Sequence, residues 1–110
     1  MSYSKKNIII PVLFSTLLAC TKSNQKNSTI NVSGNCEMCK QTIDGALKIE
    51  GIYSADWNVD SKILNVSYDS VLINLPTIAT HVALAGYDNE LVAANDSVYS
   101  KLPSCCKYNR

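Results

Sequence analysis

Two pairs of cysteines have the residue type and spacing that could do chemistry in this sequence. Cys36 and Cys39 form a C-x-x-C motif, and Cys105 and Cys106 are adjacent near the C-terminus. Ionised cysteine binds soft metal ions and also attacks disulfides. The C-x-x-C pair lies between a predicted strand and a predicted helix, where free N–H groups and the positive helix end favour the thiolate. The motif therefore predicts two sulfurs that can reach one ion near the surface.

Two thiolates suit a soft monovalent ion, so the motif favours Cu(I). Zn(II) generally takes four ligands in a structural site, and it stays an alternative together with Hg(II) or another soft metal. Met38, between the two cysteines, is a candidate thioether ligand, although exposure or local packing is the simpler interpretation. A C-x-x-C motif alone is a weak signal, and its position between strand and helix is what gives it weight.

The N-terminus has the pattern of an export signal. Lys5 and Lys6 precede an apolar run over residues 8–19, which is too short for the helix of about 20 residues that spans a bilayer. This pattern predicts a signal peptide over residues 1–19. The segment Leu-Leu-Ala-Cys that ends at Cys20 resembles the lipobox of bacterial lipoproteins, in which the signal is cleaved before the cysteine and its thiol is lipidated.

The lipobox resemblance implies that Cys20 anchors the protein to a membrane, and residues 20–28 are predicted to be a flexible linker. The expected location is the bacterial cell envelope, on the periplasmic or cell-surface side. A plain signal peptide with an accidental cysteine is the alternative.

Charge and length exclude several classes of function. The chain has 110 residues, with ten Lys and Arg against nine Asp and Glu, and this length holds one domain. Loss of Lys5 and Lys6 with the signal leaves eight basic and nine acidic residues, without the basic patch that nucleic-acid binding needs. The sequence has no evident nucleophile–base pair, paired carboxylates or phosphate-binding loop, so we expect a binding protein rather than an enzyme.

Hydrophobic periodicity predicts six elements in the mature part. Alternation over residues 29–33 predicts a first strand, and Cys39 and Ile43 mark the buried face of a helix that ends before Gly51. Two hairpin-connected strands, a helix capped by Asn74 and a short last strand follow over residues 52–59, 64–68, 75–85 and 90–93.

This order of elements predicts an α+β fold of the ferredoxin-like βαββαβ type, with two helices on one face of an antiparallel sheet. Right-handed crossovers would put the first and third strands side by side. Trp57 is expected in the core.

Three segments resemble the heavy-metal-associated domain family, in the order in which the family carries them. They are SGNCEMCKQTIDGAL, EGIYSADWNVDSKILNVSYD and ALAGYDNE, within about residues 28–93. That family includes copper chaperones, the N-terminal modules of copper-transporting ATPases and periplasmic mercury-binding proteins. The resemblance implies a domain over residues 29–94 in which Cys36 and Cys39 are the metal ligands.

Two further positions take their meaning from this resemblance. Tyr87 matches a family residue beside the metal loop that is thought to shield the ion in many bacterial copper chaperones, although a simple edge aromatic explains it equally well. Gly34 stands where the family commonly has a Met that packs under the loop, so we expect a more mobile loop and a less certain metal preference. His81 is the one histidine, and we expect it to be partly exposed and without a metal role.

The resemblance implies a module that binds Cu(I) outside the cytoplasm and passes it by ligand exchange to a metal-transporting ATPase or another metal-accepting protein. Two alternatives use the same residues. A thiol–disulfide redox lipoprotein would cycle Cys36 and Cys39 between dithiol and disulfide, although the thioredoxin fold needs a longer chain. A sensory or sequestering lipoprotein would hold the metal without a transfer partner.

A C-terminal extension over residues 95–110 follows the predicted domain. Asp96 is a candidate cap for a short helical segment that Pro103 ends. The chain is then long enough for Cys105 and Cys106 to return to the C-x-x-C motif, which makes both candidate metal ligands. A disulfide to the motif, a disulfide between the two tail cysteines and a separate reactive pair are the alternatives.

Overall fold

A computed structural model of the chain describes residues 24–110. The predicted signal peptide, the predicted lipidation site at Cys20 and the start of the predicted linker lie outside the described residues. Within residues 24–110, no helix is long and apolar enough to cross a bilayer.

The described chain forms one sheet, two longer helices and a short helical tail. The strands are β1 (Gln25–Asn31), β2 (Ile52–Trp57) and β3 (Ile63–Asp69). The helices are α1 (Glu37–Ala46), α2 (Leu75–Leu84) and α3 (Asp96–Tyr99), and a 3-10 turn follows at Ser104–Cys106. This arrangement confirms the predicted α+β fold class.

The antiparallel sheet has β3 in the middle, between β1 and β2. Leu64 on β3 lies opposite Ile30 of β1 and Trp57 of β2, and all three side chains are buried. The first and third strands are therefore neighbours, as the crossover rule predicted. Trp57 is in the core, as expected.

The two longer helices contribute their apolar faces to the same core as the sheet. Their buried residues are Cys39, Ile43, Ile78, Ala79, Val82 and Ala83. The predicted cap of α2 is confirmed, because the Asn74 side chain accepts from the Thr77 N–H at 3.0 Å. Gly51 after α1 and Gly86 after α2 have φ values of 96° and 108°, a conformation that glycine adopts without a steric penalty.

β1 begins at Gln25, before the alternating residues that predicted it. Its first residues are polar and exposed, yet Gln25 lies opposite Asp69 and Ser28 lies opposite Val66 in the ladder with β3. Backbone pairing rather than burial orders this segment. The end of the predicted flexible linker over residues 20–28 is therefore part of a strand.

The predicted last strand over residues 90–93 is wrong. An isolated bridge between Val32 and Asn89 stands in its place, and the chain then turns. The side chain of Asn89 accepts from the N–H groups of Leu91 at 3.1 Å and Val92 at 2.9 Å. Such local hydrogen bonds compete with ladder pairing, so the sheet of the described residues has three strands.

α3 forms where the sequence predicted a short helical segment, but its cap differs from the prediction. Asn95 occupies the N-cap position without a side-chain cap hydrogen bond, and Asp96 is the first helical residue. The carboxylate of Asp96 instead binds Arg110 at 2.8 Å.

The C-terminal tail returns across the domain and is held there by polar contacts. The Tyr108 hydroxyl donates to the carbonyl of Gly86 and accepts from the Asp88 N–H, both at 2.8 Å. Arg110 pairs with the Asp88 carboxylate at 2.9 Å. Tyr108 is 3% exposed. Its buried ring therefore holds the preceding 3-10 turn at Ser104–Cys106 against the domain.

Candidate metal centre

The C-x-x-C motif lies at the N-terminus of α1. Cys36 is the N-cap residue, with extended backbone (φ −148°, ψ 177°) and no side-chain cap hydrogen bond. Cys39 lies in the first turn, and its sulfur accepts from the Asn35 N–H at 3.4 Å. The free N–H groups and the positive end of the helix therefore lie next to both sulfurs.

The sulfurs of Cys36 and Cys39 are 3.6 Å apart. Cys36 is half-buried, whereas Cys39 is fully buried and belongs to the core. The helical spacing of Cys39 and Ile43 predicted this buried face of α1, whereas the expectation of a C-x-x-C motif at the surface holds only for Cys36. Solvent reaches the pair at Cys36, and both sulfurs remain within reach of one ion.

The tail brings two further sulfurs to the motif. The Cys36 sulfur lies 3.5 Å from that of Cys105 and 3.9 Å from that of Cys106, and the two tail sulfurs are 4.0 Å apart. We call these four residues the thiol cluster (Cys36, Cys39, Cys105 and Cys106). All four are free thiols, so none of the disulfides considered from the sequence is formed in this structure. The Met38 thioether is half-exposed and contacts the Cys105 sulfur at 3.5 Å.

The members of the thiol cluster differ in acidity. The backbone N–H of Cys39 is the main cause that lowers the pKa of Cys36 to about 7, and contact with the Cys105 thiol acts in the same direction. Contact with Cys36 raises the pKa of Cys105, and burial raises the pKa of Cys106 to about 12. A soft ion would therefore meet an ionised Cys36 first and would displace the proton of a buried thiol as it binds.

Tyr87 lies beneath the thiol cluster, on the core side. It is fully buried and stacks on Tyr108 with ring centroids 6.0 Å apart. Burial raises the pKa of its hydroxyl, and the neighbouring thiols of Cys106 and Cys39 act in the same direction. Among the described residues this buried hydroxyl makes no hydrogen bond of good geometry, although the Cys106 and Cys39 thiols lie close enough to act on its pKa. Tyr87 is therefore a fully buried residue beside Cys39 and Cys106, and its role as a shield of the ion stays a prediction.

The ring of Trp57 fills the space under the loop that carries the motif. A Cβ added to Gly34 would lie 2.8 Å from Cη2 and 2.9 Å from Cζ2 of this ring. The indole N–H also donates to the carbonyl of Val32 at 3.0 Å, which fixes the ring against the end of β1. Glycine at position 34 is therefore what lets the loop close over the tryptophan.

Sequence reasoning missed the burial of Cys106, although a signal for it is present. Burial alternates along the end of the tail, where Cys106 and Tyr108 are buried and Cys105 and Lys107 are exposed. An aromatic residue two positions after a cysteine thus marked the side of the tail that faces the core. His81 lies on α2, partly exposed, and is not in the group of possible metal ligands within the described residues.

Comparison with known proteins identifies the domain part of the chain. The model of the heavy-metal-associated domain matches residues 28–88, more than half of the chain. The comparison with curated protein sequences finds no match. Solved structures do match, and the alignments cover nearly all of each of the three described next.

Three of these structures come from different kinds of protein. The CopZ metallochaperone is 30% identical, with a TM-score of 0.56 over 58% of this chain and 98% of that chain. Oxidized MerP from Ralstonia metallidurans CH34 is 25% identical, with a TM-score of 0.57 over 60% and 94%. The N-terminal domain of a potential copper-translocating P-type ATPase from Bacillus subtilis, in its Cu(I)-loaded state, is 25% identical, with a TM-score of 0.57 over 67% and 95%.

Replacement of Gly34 by Ala tests the contact between the loop and Trp57. The added methyl group would overlap a buried ring, so we expect Gly34→Ala to lower the free energy of unfolding by about 1–3 kcal/mol. Gly45 in α1 is the matched control, because nothing lies within 4 Å of its added Cβ. Gly45→Ala should raise stability by about 0.5–1 kcal/mol through helix propensity. Urea unfolding of the apo-protein measures both, and equal stability of Gly34→Ala and the wild type would contradict the contact.

Proposed function

The chain belongs to the heavy-metal-associated domain family, and on that premise we propose that it binds Cu(I) through Cys36 and Cys39 and hands it on outside the cytoplasm. The observation that carries the proposal is the 3.6 Å separation of these two sulfurs at the N-terminus of α1. A half-buried sulfur of lowered pKa stands beside a fully buried one. One ligand is accessible to an arriving ion, and the other is positioned by the core.

Soft-ligand chemistry supports Cu(I) as the ion. Thiolates select soft ions such as Cu(I). The C-x-x-C pair alone leaves Zn(II) short of its usual four ligands, so a zinc site here would need both tail cysteines of the thiol cluster as well. One structural relative is the Cu(I)-loaded domain of a potential copper-translocating ATPase, which supports the same metal here. Hg(II), Zn(II) or another soft metal is the alternative cargo.

We propose that release occurs by ligand exchange with a metal-transporting ATPase or another metal-accepting protein. The half-exposed Cys36 is the side from which a partner thiolate can approach the ion. As the new metal–sulfur bond forms, an old one breaks and the ion changes hosts without becoming free. The chain then acts as a binding and transfer module rather than as an enzyme.

Membrane attachment through Cys20 is the second part of the proposal. It is supported by the apolar run over residues 8–19 and by the segment Leu-Leu-Ala-Cys that ends at Cys20. A lipid on this residue would tether the domain to the cell envelope. Cys20 is only a few residues before β1 begins at Gln25, so the lipid would hold the whole domain close to the membrane surface, with the motif beyond the far end of β1.

The Cys20→Ser variant tests the anchor in a bacterial host. We expect the wild-type chain to sediment with membranes and to enter the detergent phase, because its cysteine carries acyl chains. The variant should lose acylation, which metabolic labelling with a fatty acid measures directly. Ser23→Ala is the matched control on the same segment. Equal labelling of wild type and Cys20→Ser would contradict the anchor.

Anaerobic titration of the purified full-length chain tests metal binding. With Cu(I) supplied against a competing chelator, we expect one tightly bound ion per chain. Cys36→Ser should weaken Cu(I) binding by about 100-fold or more, because it removes the accessible thiolate ligand. Met38→Leu is the matched control and should leave the affinity within about twofold, since its half-exposed thioether is not needed for a thiolate pair.

Three outcomes of this titration have different meanings. Preference for Hg(II) or Zn(II) over Cu(I) would change the proposed cargo. Equal Cu(I) affinity of Cys36→Ser and the wild type would contradict the proposed ligand. Absence of metal binding, together with a reversible disulfide between Cys36 and Cys39, would instead support the thiol–disulfide redox function.

A further inference from the structure

The tail beyond the matched domain is built into the fold. The family model ends at residue 88, whereas the tail that carries Cys105 and Cys106 packs against the segment just before that end. A Cβ added to Gly86 would lie 2.9 Å from the Leu102 side chain, so the tail lies directly on the backbone there. The Tyr99 hydroxyl donates to the carbonyl of Tyr108 at 2.6 Å. Contacts on both sides therefore position the 3-10 turn.

The two cysteines of this turn have different surroundings. Cys105 is exposed, whereas Cys106 is fully buried among core residues that include Cys39 and Tyr87. We propose that Cys106 is a third sulfur ligand, so that Cys36, Cys39 and Cys106 hold one Cu(I) ion while Cys105 stays outside. This inference rests on the proposed function and adds a ligand to its site.

Sulfur spacing favours three ligands over two. With metal–sulfur bonds of about 2.3 Å, sulfurs in a trigonal plane lie about 4 Å apart, and two sulfurs in a line lie about 4.6 Å apart. The observed separations from Cys36 are 3.6 Å to Cys39 and 3.9 Å to Cys106, and these three sulfurs lie within 4.8 Å of one another. The Cys105 sulfur is 3.5 Å from that of Cys36, but it is not in this group of mutually close sulfurs. The separations within the group are therefore close to those expected for three sulfurs around one ion.

The Tyr87 hydroxyl gives an independent indication of a ligand at this place. It is buried and has no hydrogen-bond partner among the described residues, and a buried polar group in that condition costs free energy. When a metal ion binds Cys106, the thiol proton passes to solvent and the sulfur becomes a better hydrogen-bond acceptor. Tyr87 lies where its O–H can then donate to a metal-bound sulfur of Cys106 or Cys39.

A third thiolate changes how the domain releases its ion. A two-thiolate site has an open side at which an incoming thiolate can bind before either ligand leaves. In the three-thiolate site the ion also has a bond to the buried Cys106 sulfur, so a partner that approaches at Cys36 must break one more metal–sulfur bond before it can take the ion. The tail therefore makes this domain hold Cu(I) more tightly than the C-x-x-C motif alone would.

X-ray absorption at the copper edge counts the sulfurs directly. The full-length chain is loaded anaerobically with one equivalent of Cu(I) and measured as wild type, Cys106→Ala and Cys105→Ser. We expect three sulfur neighbours in the wild type and in Cys105→Ser, and two in Cys106→Ala. Competition with a chelator should give a loss of Cu(I) affinity of about tenfold or more for Cys106→Ala, with Cys105→Ser within about twofold of the wild type.

The Cys105→Ser control shares the turn, the residue type and the loss of one sulfur with Cys106→Ala. Circular dichroism of each apo-variant checks that it folds, and the sulfur count of the wild type needs no variant. Two sulfurs in the wild type, with normal affinity in Cys106→Ala, would overturn the inference and leave the proposed function intact. Absence of Cu(I) binding by the wild type would overturn both.

Two other results would also overturn the inference. A loss of Cu(I) affinity in Cys105→Ser as large as that in Cys106→Ala would mean that the exposed cysteine is a ligand. A stronger affinity for Zn(II) than for Cu(I), abolished by either variant, would mean a four-thiolate zinc site.

Discussion

The packing of the tail against the start of α1 is the contact on which the site depends. It brings the Cys106 sulfur to 3.9 Å from that of Cys36, beside a helix end whose free N–H groups favour negative charge. The helix alone supplies one half-buried thiol, Cys36, and one thiol that faces the core, Cys39. The returning tail adds the buried sulfur of Cys106 and the exposed sulfur of Cys105. The C-x-x-C motif at the start of α1 thereby becomes part of a four-thiol cluster that is backed by the core.

Three aromatic residues on the core side support the contact between the tail and α1. Trp57 supports the loop before Cys36, because its ring lies where a side chain at position 34 would be. Tyr87 separates the cluster from the rest of the core and stacks on Tyr108, whose hydroxyl joins the tail to the turn after α2. The same side chains therefore stabilise the fold and set the positions of the sulfurs. The sulfurs consequently have little freedom to move relative to the core.

Much of this architecture could be predicted from local sequence signals. The order of elements, the cap at Asn74 and the pairing of the first and third strands follow from periodicity, capping and handedness. The length of the tail showed that it can reach the C-x-x-C motif, but sequence alone does not say which surface a segment covers. The predicted fourth strand is absent from the described residues, and in its place the Asn89 side chain accepts from the N–H groups of Leu91 and Val92.

The site was harder to predict than the fold, because burial decides its character. The C-x-x-C spacing indicated two ligands and the helical spacing indicated the buried side of Cys39, but the burial of Cys106 and the place of the Tyr87 hydroxyl beside it arise from tertiary packing. Gly34 was expected to loosen the loop, and that expectation could not include a tryptophan brought from β2 to fill the space. Chemistry at this site is therefore a property of the assembled core as much as of the motif.

The most direct measurement is a crystal structure of the full-length chain loaded with one equivalent of Cu(I), with anomalous data on both sides of the copper edge. Our account predicts one copper peak at the N-terminus of α1, at bonding distance of about 2.3 Å from the sulfurs of Cys36, Cys39 and Cys106. A copper peak elsewhere, or one bonded to neither sulfur of the C-x-x-C motif, would contradict it.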